Sequence, residues 1–202
     1  MPEATRVEAV EAVETSSTDN SNHMSKNGVY YFNEVVTPSS IKPVIEFILN
    51  SALDPDQKLK YLTLIINSPG GHCTEGFGLI DIMLGSPIPI KTVGLGQIES
   101  MGLLIFMAGE KGHRLLTPNC MILSHQWSGW SMGKEHELVA SQKRNTILSD
   151  MILRHYRRMT GLSNAKIKKL LLPPEDVWLT AKQAHLLGIC DTVKDLKPIL
   201  KR

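Results

Sequence analysis

The chain has no apolar run long enough to span a bilayer as a helix, and its mean hydropathy of -0.07 is that of an ordinary globular protein. That argues against a membrane-embedded protein. Only 5% of its 202 residues are aromatic, and those do not interleave with basic residues as base-stacking platforms would. Lys and Arg (22) nearly balance Asp and Glu (20), a formal charge of +2, so neither nucleic acid nor an anionic membrane is expected as a partner. Three cysteines, Cys73, Cys120 and Cys190, are odd in number and widely spaced, with no C-x-x-C and no Cys/His ladder. No metal site and no disulfide framework are expected, and a reducing compartment fits best. The N-terminus is acidic, without the cationic start and apolar stretch of a secretory signal or the Arg-rich, acid-poor character of a transit peptide, so a cytoplasmic location is expected.

Charge is nonetheless uneven. Residues 1–20 carry one Arg against five acids, and residues 151–202 carry 11 Lys and Arg against four acids. Residues 1–27, rich in Glu, Ser, Thr, Asn and Ala, read as a flexible acidic arm, with the folded domain expected over 28–202.

From Gly28 the pattern is strand then helix, repeated. VYYFNEVV reads as a strand and Thr37–Ser40 as a helix start before IKPVIEFILNSA. YLTLIIN is nearly continuous in apolar residues, as a strand buried on both faces of a parallel sheet would be. IPIKTVGLGQ is a further strand, SMGLLIFMAGE a buried helix, and HRLLTP and CMILSH are short strands. Repeated βα order predicts an α/β fold. The stretch from Gly133 to Thr160 reads as one long helix with Ile147, Leu148, Met151, Ile152 and Tyr156 on one stripe and charge on the rest. Gly161 stops it, Ser163 caps a short helix, Pro173 and Pro174 force a loop, and Thr180 with Gln183 forms a capping box.

Two glycine-bearing loops, NSPGG at 67–71 and GQIESMG at 96–102, follow strands, where open α/β sheets bind ligands. Neither has the spacing of a phosphate loop or a dinucleotide fingerprint. Ser100 sits at a strand-to-helix junction, a nucleophile's position, although Ile98 breaks the G-x-S-x-G pattern. A serine nucleophile needs a base, and the base an orienting carboxylate. His125, at the end of the strand CMIL, is the best-placed base, with His72 a competitor beside the glycines. Spacing alone leaves Asp176, Glu99 and Asp81 open as the carboxylate.

At these residues the chain resembles the ClpP family, the proteolytic subunits of Clp proteases within the ClpP/crotonase superfamily (peptidase family S14). The resemblance runs from Tyr30 to Val193 and rests on INSPGG, GQ-x-x-SMG, the His-Gln at 125–126, and D-x-[aromatic]-L-[ST]-A at 176–181 with G-x-x-D at 188–191. It implies a fold of stacked β/α repeats with a projecting handle helix. It also implies a serine endopeptidase acting on unfolded proteins or short peptides through an acyl-enzyme, with Ser100 as nucleophile, His125 as base and Asp176 as its orienter. The N–H groups of Gly71 and Met101 would form the oxyanion hole. Seven-membered rings stacked into a tetradecamer, and an AAA+ unfoldase that alone uses ATP, are the implied partners, with no cofactor in the peptidase itself. The alternatives are an inactive ring subunit and a maturation protease working without an ATPase. Glu99 stands where the family has a small residue, Trp127 where it commonly has Pro, and KLLLPPED is slightly longer than its family counterpart.

Overall fold

The computed structural model describes residues 24–56 and 58–196. Most of the expected N-terminal arm lies outside them.

The chain enters through β1 (Val29–Phe32), shorter than the expected VYYFNEVV because the backbone leaves the sheet at Asn33; Val36 then forms only an isolated parallel bridge with Gly71. Helix α1 (Pro38–Leu53) starts where the sequence indicates: Thr37 accepts from Ser40 N–H at 3.2 Å, and the Ser40 hydroxyl accepts from Thr37 N–H at 3.0 Å. Strand β2 (Leu62–Ser68), helix α2 (Cys73–Gly85), strand β3 (Ile90–Glu99) and helix α3 (Met101–Met107) continue the βα order. Strands β4 (Arg114–Leu116) and β5 (Met121–Ser124) precede the long helix α4 (Glu135–Thr160). Helix α5 (Asn164–Leu170), strand β6 (Val177–Thr180), helix α6 (Ala181–Leu186) and strand β7 (Thr192–Val193) complete the described chain.

The sheet runs β1-β2-β3-β4-β7, all parallel, with β5 added to β3 and β6 added antiparallel to β5. Its branch point lies within β3, whose first half (Thr92–Gly94) pairs with β4 and whose second half (Gln97–Glu99) pairs with β5. Gly96, at φ 64°, turns the strand between the two, and a side chain there would strike Asn67 Oδ1, which accepts from Gln97 N–H at 3.0 Å. The strand therefore bends away from β4 and carries its last residues toward β5. Helix α3 then runs back through the core with all seven of its residues buried, each large side chain adding about 1.5–3 kcal/mol of transfer free energy.

Arg114, 4% exposed, leads β4 and grips Asp191 just ahead of β7: Nη2 donates to Oδ1 at 2.7 Å and Nε to Oδ2 at 3.0 Å. Burial works against the Asp191 charge, but the Arg114 hydrogen bonds and cation, with the Gly112 N–H, outweigh it and hold the carboxyl below its ordinary value. Helix α4 is anchored only at its C-terminal half, where Ile152, His155 and Tyr156 are buried; Ile147, expected on the apolar stripe, is half exposed. Gly161 ends the helix at φ 75°, in the left-handed conformation that glycine adopts without strain.

Candidate active site

Strand β3 ends at Glu99 and α3 begins at Met101, so Ser100 alone must reverse the chain. It does so at φ 52° and ψ -122°, the one positive φ among the described non-glycine residues. Such a conformation costs about 1–3 kcal/mol and persists only where the surroundings impose it. They do: Ser100 N–H donates to Leu123 O of β5 at 3.0 Å, and its carbonyl accepts from Leu103 N–H at 3.0 Å and Leu104 N–H at 3.3 Å.

The NSPGG loop packs against this turn. A Cβ on Gly70 would lie 2.7 Å from Glu99 O and from Ser100 Cβ, so only glycine lets the loop approach Ser100 this closely. The loop is fixed by Ser68, whose hydroxyl donates to Glu34 O at 2.6 Å and accepts from Gly70 N–H at 3.2 Å. Val36 N–H donates to Gly70 O and His72 N–H to Val36 O, so Gly71 sits between two anchored neighbours. Neither the Gly71 N–H nor the Met101 N–H has an acceptor among the described residues.

His125 immediately follows β5, as expected. The sequence puts Asp176 between the Pro173–Pro174 loop and the capping box at Thr180, in a connection between two helices. It instead leads into strand β6, whose antiparallel register ends on the pair Ser124↔Val177. The next residues outward are His125 and Asp176, so the pairing itself sets them side by side, with His125 Nδ1 and Asp176 Oδ1 3.9 Å apart. That is an ion-pair distance and longer than a hydrogen bond. The histidine side chain is 22% exposed and the carboxylate 61%, and His125 makes no hydrogen bond to Ser100 in the single chain.

The other candidates are placed elsewhere. His72 precedes α2, is mostly exposed and faces Glu75 at 3.7 Å. Asp81 lies on α2 near His155, and Glu99 closes β3 opposite Leu123. Cys73 borders the same region, but burial, opposed in part by Arg144, raises its pKa, so at neutral pH it is a thiol and a poor nucleophile. Among the described residues no group of His, Cys, Asp and Glu is placed to hold a metal ion, and no helix is long and apolar enough to cross a membrane.

A groove of about 480 Å³ opens beside Gly71 and is walled by His72, Phe77, Trp127, Trp130 and Met151. Trp127 separates it from a second cavity of about 460 Å³ and is held by donation from its Nε1 to Ser149 Oγ at 2.9 Å. Sequence reasoning flagged Trp127 as a departure but assigned no part to Trp130, Ser124 or Ser149. Their significance comes from partners distant along the chain, for which no local pattern exists.

A strained serine turn, a glycine loop with free amides, a histidine beside an aspartate and a mostly parallel α/β sheet are thus assembled on one chain. The model of the Clp protease family matches residues 12–197, nearly the whole sequence, and the chain belongs to that family of peptidases.

Proposed function

We propose that the protein is a serine endopeptidase that cleaves unfolded polypeptides or short peptides, with Ser100 as nucleophile, His125 as general base and Asp176 as the group that orients it. The observation that carries this reading is the β5–β6 register, which sets His125 beside Asp176 at the end of the strand that also hydrogen-bonds the Ser100 backbone. Three groups far apart in sequence converge on one sheet edge.

In the proposed reaction the Ser100 hydroxyl adds to the peptide carbonyl as His125 Nε2 takes its proton. The carbonyl oxygen, now negative, is received by the N–H groups of Gly71 and Met101, which have no acceptor of their own. Loss of one such donor costs about 10²–10³ in rate. His125 next protonates the departing amine, leaving an acyl ester on Ser100. Water, deprotonated by the same imidazole, then releases the acid. Asp176 accepts from His125 Nδ1–H and stabilises the imidazolium, once the 3.9 Å separation closes. No metal or cofactor takes part in this sequence.

Self-assembly into stacked rings is part of the proposal, because the family generally forms them and the free half of α4 exposes Leu138, Val139 and Ile147 to solvent. A cytoplasmic setting and an ATP-driven unfoldase as supplier of substrate complete it.

The test is labelling of the assembled protein with a fluorophosphonate, with the adduct located by peptide mapping. An adduct on Ser100 that is absent from Ser100→Ala and strongly slowed in His125→Ala is expected. A folded, assembled sample that takes no label at Ser100 would overturn the reading and favour a ring subunit without catalysis.

A further inference from the structure

Asp176 is mostly exposed and makes no hydrogen bond among the described residues, yet it must present its carboxylate to one imidazole nitrogen. Something else must fix the segment that carries it. The side chain of Ser124, completely buried, hydrogen-bonds both Tyr156 on α4, at 2.7 Å, and the carbonyl of Leu171. A carbonyl can only accept, so the single Ser124 proton points to Leu171 O, and the Tyr156 hydroxyl must donate to Ser124 Oγ. The proton order is therefore fixed: Tyr156 to Ser124 to Leu171.

Ser124 acts on both ends of the segment that bears Asp176. Its backbone pairs with Val177, just after Asp176, and its side chain holds Leu171, at the start of the Pro173–Pro174 loop. Gln126 reinforces the second hold by donating from Nε2 to Leu172 O at 3.0 Å. His125 lies between Ser124 and Gln126. In a region whose neighbours are apolar, Ser124 and Tyr156 form a polar pair that packing alone does not require.

We propose that Ser124, locked by Tyr156 from the long helix, is a positioning residue that sets Asp176 against His125. The proposal rests on the reading of these two as base and orienter. Ser124 touches no substrate; it acts only through the segment it clamps.

The test is a double-mutant cycle read as the rate constant for fluorophosphonate labelling of Ser100 in the full chain. Wild type, Ser124→Ala, Asp176→Ala and the double variant are compared, and the same square is run with Tyr156→Phe, which removes one hydroxyl and little volume. Groups coupled through shared contacts interact by roughly 2- to 100-fold in such cycles. Ser124→Ala is expected to slow labelling within that range, and Tyr156→Phe at its lower end, when Asp176 is present. Neither is expected to slow it further when Asp176 is absent. A general structural role would lower the rate equally in both backgrounds, and that result, or no slowing at all, overturns the proposal. If Ser124→Ala does not fold, the Tyr156→Phe square decides alone. A wild-type chain that takes no label on Ser100 refutes the triad itself, and the clamp falls with it.

Discussion

Gly70 shows how little freedom the residues around Ser100 have. Its φ of 86° and the backbone atoms 2.7–2.8 Å from an added Cβ leave no room for alanine without displacing the Ser100 turn. Gly70→Ala is expected to fold and to lose about 10²-fold in peptide hydrolysis, since a displacement of about 1 Å in a reacting group has that effect; kcat measured on the folded variant checks this. Asp191 illustrates a different constraint. Its carboxyl is held below its ordinary value, so its contribution to stability is complete above the unfolded value near 3.9 and is lost as pH falls through the lower folded value. Asp191→Ala strands the 4%-exposed Arg114 and is expected to cost about 3–5 kcal/mol at neutral pH, with a flatter acid limb, in urea unfolding across pH. His155 is the opposite kind of group. Burial lowers its pKa to about 4, and its neutral ring donates from Nε2 to Leu104 O at 2.8 Å. The unfolded chain binds the extra proton first, so stability should fall as pH drops from about 6.5 to about 4, and His155→Gln should remove that slope.

Among the elements, those with a local signature could be read from the sequence. Thr37, Ser163 and Thr180 cap the helices expected of them, Gly161 ends the long one, and strands form at YLTLIIN and CMIL, although β2 alternates buried with half-buried residues rather than being buried on both faces, and Met121 of β5 is exposed. Strand β6 was not legible. VWLT is four residues long, its Trp178 is half exposed, and it lies between two helices; only the pairing with β5 makes it a strand. Ser100 and His125 could therefore be located at strand ends from their own surroundings, whereas the position of Asp176 beside His125 follows only from the strand pairing. The apolar stripe of α4 was legible as a pattern: Leu148, Met151, Ile152 and Tyr156 pack on the core, whereas Ile147 stays half exposed, as do Leu138 and Val139 nearer the start of the helix. Replacing Leu138, Val139 and Ile147 together with Asp is expected to leave the monomer folded, since these side chains are 43%, 66% and 52% exposed, and to weaken assembly by about 30-fold or more. Sedimentation of wild type and variant at matched concentrations checks this.

At the scale of the whole molecule, the incomplete contacts lie together. The free half of α4 leads to the anchored half, where Tyr156 meets Ser124 beside His125. A subunit contact on that helix would bear on the 3.9 Å gap between His125 and Asp176. Specific activity is accordingly expected to drop on dilution in parallel with the assembled fraction; activity independent of assembly state would show that the site closes within one chain.

Synthesis proceeds from the N-terminus, so a growing chain displays Ser100 and His125 while β6 is still unmade. The strand that brings Asp176, and the Asp191 that Arg114 awaits across 77 positions, both come from the final quarter of the sequence. On the proposed triad, a half-made subunit carries a nucleophile and a base but no orienting acid. Cleavage of neighbouring nascent chains by such a half-made subunit is therefore expected to be slower by about 10⁴-fold than by the finished one.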